Sequence, residues 1–149
     1  MTTRITGGIA ELAVAKKLTE IGFTVSWPLV EDAYDLIAEK GGSMHRIQVK
    51  SATLSKFSSY RCCLEHSAGT NSKGVRVKKG YNKKDCDFII LYLSFAKDYP
   101  DLIEDGFYII PVEATRGSYV AVVFPAGKGT GNIKVCKWEK YKDGWEKIQ

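Results

Sequence analysis

Two histidines are all that this 149-residue chain carries, and its four cysteines show no Cys-x-x-Cys spacing. His45 and His66 lack metal-ligand spacing, so the pattern of a zinc site is missing. Cys62 and Cys63 are adjacent, and with Cys86 and Cys136 they read as reduced thiols of a cytoplasmic protein. Long apolar runs are missing as well. The longest, Phe88 to Leu93, is far too short to span a bilayer. Met1-Thr2-Thr3-Arg4 lacks the apolar stretch of a signal peptide, so no membrane contact is expected. Neither repeats nor a domain-scale linker break the chain, which leaves one domain over residues 1–149. At 44% hydrophobic and 26% charged residues, the composition excludes disorder and allows a real core.

What is present in excess is positive charge, and it is local. The net charge is +5. Acidic and basic residues balance over residues 1–50 and again over 91–149. Between them stand Lys56, Arg61, Lys73, Arg76, Lys78, Lys79, Lys83 and Lys84 against Glu65, Asp85 and Asp87. Such clusters often serve only solubility, but a segmental excess is also the footprint of a polyanion binder.

Gly41-Gly42 lies between two alternating segments, and that pattern predicts a tight hairpin. Lys40 then faces Ser43, and Asp35 faces Gln48 with both side chains on one side. Period-2 alternation adds Arg46 and Lys50 to that side and turns Ile47 and Val49 away. A carboxylate, an amide and an ammonium thus converge at the open end of the hairpin. This suits a divalent cation and an anionic substrate, or else a solvated edge.

Residues Thr6 to Ile21 predict a helix capped by Thr6 and stopped by Gly22. Its apolar arc, from Ala10 and Val14 to Ala15, Leu18 and Leu12, has Glu11 in the middle. A carboxylate there needs a partner. A lysine salt bridge would serve, and so would a role beside the hairpin's polar residues. Phe23–Trp27 predicts a strand ended or edged by Pro28. Residues Tyr60–His66 and Val75–Lys78 predict a basic second hairpin around the loop Ser67–Gly74, a form able to enter a major groove. Asp87–Phe95 predicts a doubly covered central strand. Phe107–Val112 follows at an edge, with Tyr119–Pro125 beside it. Lys128–Asn132 is a glycine-rich loop without a helix behind it, and residues 138–145 predict a short amphipathic helix packed by its tryptophans.

Gly8-x-Ala10-Glu11, Tyr34-Asp35-Leu36-Ile37 and Gln48-Val49-Lys50, in that order and on those element types, resemble the PD-(D/E)xK nuclease superfamily. The small size and basic β-rich insertion further resemble its intron-encoded homing endonucleases. The resemblance implies an α/β, restriction-endonuclease-like fold: a mixed central sheet flanked by helices, with the basic β-hairpin inserted for DNA contact. It also implies hydrolysis of double-stranded DNA by an Mg²⁺-activated water. Glu11, Asp35, Gln48 and the Val49 carbonyl would hold the metal. Lys50 would orient or deprotonate the water and offset charge on the phosphorane. Lys56, Arg61, Lys73, Arg76, Lys78, Lys79, Lys83 and Lys84 would contact DNA. The chain departs from the pattern at Gln48, where an acid is usual, and at Ala33-Tyr34, where proline usually precedes the aspartate. One site per chain implies a homodimer or higher homo-oligomer for cutting both strands.

Asp85 and Asp87 enter the central strand, a place where the superfamily often carries structural or dimer-contact acids. Three alternatives stay open: a nuclease specific for Holliday-type junctions, a catalytically inert DNA-binding module on the same fold, and an RNA-directed protein. The nuclease reading requires Glu11 to lie near Asp35 and Lys50.

Overall fold

The computed structural model describes residues 2–54, 59–94, 106–123 and 137–149. Helix α1 (Thr3–Glu20) begins a turn earlier than expected, because Thr2 is also a capping residue and its side chain accepts the Ile5 N–H. Thr6 lies inside the first turn, its hydroxyl donating to the Thr2 carbonyl. At the other end Gly22 takes a positive φ of 92°, and Phe23 N–H reaches back to the Leu18 carbonyl. That is the left-handed stop for which glycine is suited. Ala10, Val14, Ala15 and Leu18 are buried, whereas Leu12, at the margin of the predicted apolar arc, is exposed.

Among the described residues ten strands follow: β1 (Thr24–Ser26), β2 (Leu36–Lys40), β3 (Ser43–Ser51), β4 (Thr53–Leu54), β5 (Tyr60–Cys63), β6 (Glu65–Thr70), β7 (Arg76–Gly80), β8 (Phe88–Leu93), β9 (Gly106–Pro111) and β10 (Val120–Val123). The main sheet has the order β1-β2-β3-β8-β9, and β3 with β8 is its one parallel pair among the described residues. Strand β8 is buried at every position, as its continuous apolar run requires. Its Phe88, Ile90 and Tyr92 pack with α1 on one side of the sheet. Its Ile89, Leu91 and Leu93 pack on the other, against Tyr60, Cys62, Leu64, Ala121 and Val123. The helical cover among the described residues is therefore α1 alone, and a small sheet, β10-β5-β4, covers the opposite face.

Three expectations change in detail. The segment Tyr60–His66 divides at Leu64, whose buried side chain joins the core while its N–H donates to the Tyr119 carbonyl. Buried Tyr60 and Cys62 alternate with exposed Arg61 and Cys63, so β5 belongs to the small sheet, not to the basic hairpin. The hairpin is β6 with β7, and its turn spans Asn71–Val75. Strand β10 pairs with β5 and not beside β9, because Ala121 and Val123 share that core. The tail forms two short 3-10 turns, Glu139–Tyr141 and Trp145–Lys147, in place of a helix. Asp143 between them takes a positive φ of 49°. Trp138 is buried, and Trp145 packs partly buried against the helix-side core. Lys56, Cys136, Pro125 and the Lys128–Asn132 loop lie outside the described residues.

Candidate functional site

The β2–β3 register runs from Lys40 opposite Ser43 to Leu36 opposite Ile47. Gly41 and Gly42 both adopt positive φ, 58° and 83°, which the two-residue turn demands and side chains resist. The pairing continues one step further, since Asp35 N–H donates to the Ile47 carbonyl at 2.9 Å. Asp35 is thereby set against Gln48. The Gln48 amide donates to Asp35 Oδ2 at 2.6 Å and to the Val49 carbonyl at 3.1 Å. Val49 N–H donates to the same Oδ2 at 2.8 Å. One carboxylate oxygen is thus fixed by two donors from the neighbouring strand.

Burial pushes the Asp35 carboxyl above its ordinary range, against the opposing pull of the Val49 N–H and the Lys50 charge. Glu11, half-buried on α1, is also pushed up, first by burial and then by the charge of Asp35. A hydrogen bond with the Trp27 side chain works the other way. Glu11 therefore lies within electrostatic reach of Asp35, and Asp35 within reach of Lys50. Burial alone would lower the Lys50 pKa. The hydrogen bond with Tyr81, with the charges of Tyr81, Cys62 and Asp35, outweighs it, so the ammonium is held in its charged form.

The PD-(D/E)XK endonuclease family model matches residues 1–141. The chain belongs to the PD-(D/E)XK endonuclease family. It is also similar to Protein 5.3 of Escherichia phage T7, 42% identical over 50 residues. That match takes in 33% of this chain and 42% of the phage protein, so the chain spans less than half of that relative's length. The fold is that of the bacterial homing endonuclease I-Ssp6803I, with a TM-score of 0.81 at 22% identity over 99% of this chain and 93% of that one.

Members of the PD-(D/E)XK family carry a short polar constellation that suits a hard divalent cation, and the residues here fit such a group. Glu11, Asp35 and the Val49 carbonyl offer oxygen donors, the type Mg²⁺ prefers, and Gln48 would add its amide oxygen on turning over the side-chain amide whose Nε2 faces Asp35. Both carboxyls are raised by burial, and Glu11 also by the charge of Asp35, so a cation would relieve them. Among the described residues no group of three His, Cys, Asp or Glu side chains is placed to hold a metal. The donor set therefore depends on the amide and the backbone oxygen to complete it.

In this PD-(D/E)XK chain the basic residues divide into three groups. Lys73, Arg76, Lys78 and Lys79 lie on the exposed β6–β7 hairpin, with Lys78 opposite Ser67 and Lys79 opposite His66. Arg61 is exposed on β5, between Val122 and Thr53. Lys83 and Lys84 sit in the turn before β8, where Lys83 is tied to Glu113 at 2.6 Å.

Two features lay beyond the sequence reading. Arg46 lies beside Gln48 in β3 but turns to Asp87, which accepts its backbone N–H at 2.8 Å and its guanidinium at 3.2 and 3.3 Å. The same guanidinium donates to the Lys83 and Lys84 carbonyls at 2.6 and 2.8 Å. Asp87 thus fastens the start of β8 to β3, a structural part for one of the two unassigned acids. Tyr81, buried against Lys50, carried no signal at all in the sequence pattern.

Proposed function

We propose that this chain is a site-specific endonuclease for double-stranded DNA, of the homing type, acting with Mg²⁺ as a homodimer or higher homo-oligomer. The observation that carries the reading is the grouping of Asp35, Gln48 and Val49 by direct hydrogen bonds, with Glu11 and Lys50 each within electrostatic reach of Asp35, in a PD-(D/E)XK family member. Asp35, Glu11, Gln48 and the Val49 carbonyl would hold the metal. When bound, the metal would supply Lewis-acid activation of water and of the scissile phosphate. Val49 N–H fixes the Asp35 carboxylate so that it need not reorganise during the reaction. Lys50 stays charged, so its part is to donate to the phosphate and offset the charge that builds there, not to remove a proton. The β6–β7 hairpin presents Lys73, Arg76, Lys78 and Lys79 to the duplex, and Arg61 and Lys84 extend the basic surface. The homing assignment draws support from the fold shared with I-Ssp6803I.

The deciding experiment selects cleaved sites from a random duplex library with Mg²⁺, using wild type, Asp35→Asn and Lys50→Ala. One recurrent site cut by wild type alone is the expected result. Cleavage by either variant at the wild-type rate would overturn the site. Faster cutting of a four-way junction than of any linear site would replace homing by junction resolution.

A further inference from the structure

The segment between the basic hairpin and β8 connects two parts of the molecule that the proposed function treats separately. Strand β7 ends at Gly80, and the next residue, Tyr81, is only 7% exposed. The Lys50 ammonium lies 5.1 Å from the centre of the Tyr81 ring, and burial pushes the phenol's pKa up against the downward pull of the ammonium's charge. The imidazole of His66 stacks on the same ring, with centroids 4.6 Å apart and planes inclined by 35°. His66 stands at the root of the hairpin, opposite Lys79. Its Nε2 is 3.7 Å from Asp85 Oδ2, which also accepts the Asn82 N–H at 2.9 Å.

The turn that holds Asp85 is closed by its own hydrogen bonds. Asp85 N–H and Cys86 N–H both donate to the Asn82 carbonyl, and Asn82 Oδ1 accepts the Lys84 N–H. Beyond it, Arg46 bolts Asp87 and the Lys83 and Lys84 carbonyls to β3. The polar face of β3 is therefore gripped at both ends by one short segment, at Arg46 through Asp87 and at Lys50 through Tyr81. A lysine has four rotatable bonds, and holding its head group against an aromatic face removes much of that freedom.

We propose that Tyr81 is the positioning residue for Lys50, and that its stack on His66 ties the placement of that lysine to the root of the β6–β7 hairpin. The proposal rests on the nuclease reading for its catalytic consequence, but not for the contact itself. Displacement of the hairpin root moves His66, and with it the ring that fixes Lys50. A duplex that seats the hairpin correctly keeps the ammonium in place, and one that seats it badly loosens the group needed for cleavage. Sequence discrimination then operates on the rate of the chemical step as well as on affinity.

The test uses the full chain with Tyr81→Phe, which keeps the ring and removes the hydroxyl, and His66→Leu, which removes the stack. Single-turnover cleavage and DNA affinity are measured on the selected duplex, and the Lys50 ε-methylene NMR shift is measured without DNA. Expected for Tyr81→Phe is a fall of about tenfold in cleavage rate at unchanged affinity and unchanged melting temperature. For His66→Leu, a smaller fall should accompany a displaced Lys50 signal, since the ring current it senses changes. Wild-type cleavage rates in both variants, or rate losses that merely follow losses of affinity and melting temperature, would overturn the proposal. If wild type cuts no duplex, the nuclease reading fails separately. The contact is then judged by the Lys50 signal: displacement in both variants upholds it, and no displacement overturns it.

Discussion

Asp35 and Glu11 share a physical signature with an observable consequence. Both carboxyls have folded-state pKa values raised above the ordinary range, Glu11 by burial and by Asp35, Asp35 by burial. An acid whose folded pKa is raised binds its proton more tightly folded than unfolded. Its stabilising contribution is present below the unfolded value, near pH 4, and is lost as pH rises through the folded value. Glu11→Gln should therefore raise the melting temperature of metal-free protein at pH 7 to 8, and the gain should vanish below about pH 4. A gain independent of pH would contradict the shared burial of these acids. Gln48→Glu is the converse change. It sets a second carboxylate within hydrogen-bonding distance of Asp35, lowering metal-free stability at neutral pH and tightening Mg²⁺ binding about tenfold, read as a steeper rise of melting temperature with Mg²⁺. Asp35 facing Gln48 was legible in the sequence because a Gly-Gly turn dictates register locally, and register dictates which side chains face each other. Tyr81 was not legible, because a lone tyrosine has no period, and its partners Lys50 and His66 come from other strands.

At the level of elements, the β6–β7 hairpin contributes little to the core, as its side chains are exposed along most of both strands. Removing its charges should consequently cost binding without costing the fold. Arg76→Ala, Lys78→Ala and Lys79→Ala together should lower the slope of log K against log salt by about 2 to 3, while stability shifts by no more than about 0.5 kcal/mol per site. An unchanged slope in the salt titration would remove the hairpin from the DNA surface. The parallel pair β3–β8 depends on a different kind of group. Burial works to raise the Asp87 pKa, but the Arg46 hydrogen bonds outweigh it and hold the carboxyl below its ordinary range. A depressed acid contributes stability above its unfolded value, near pH 3.9, that is lost as pH falls through the folded value. Asp87→Asn should cost about 1 to 2 kcal/mol in urea denaturation at pH 7 and progressively less below pH 4. The central strand itself was legible as an uninterrupted apolar run. Its clamp was not, since Arg46 and Asp87 meet from strands that approach only when the sheet is built.

For the whole molecule, the pairing of β5 with β10 and of β3 with β8 shows where a chain-order reading loses information. Local alternation announces a strand but not its neighbour, and both pairs are closed by long excursions of the chain. The proposed assembly is a further step in the same direction, from strands that find partners to copies that do. If the proposed Asp35–Lys50 site attacks one strand of a duplex, complete cleavage needs two copies acting on opposite strands. Mixing wild type with Lys50→Ala, after unfolding and refolding them together in equal amounts, gives about half mixed assemblies if the unit is a dimer. On a supercoiled plasmid carrying the selected site, each mixed dimer should leave a nicked circle, and only pure wild-type dimers should yield linear product in one binding event. Nicked product should then peak near equal mixing and disappear with wild type alone. If Lys50→Ala copies only dilute the activity, with linear product falling in proportion to wild type and no nicked circles gathering, each active copy cuts both strands unaided, and the two-site assembly is wrong.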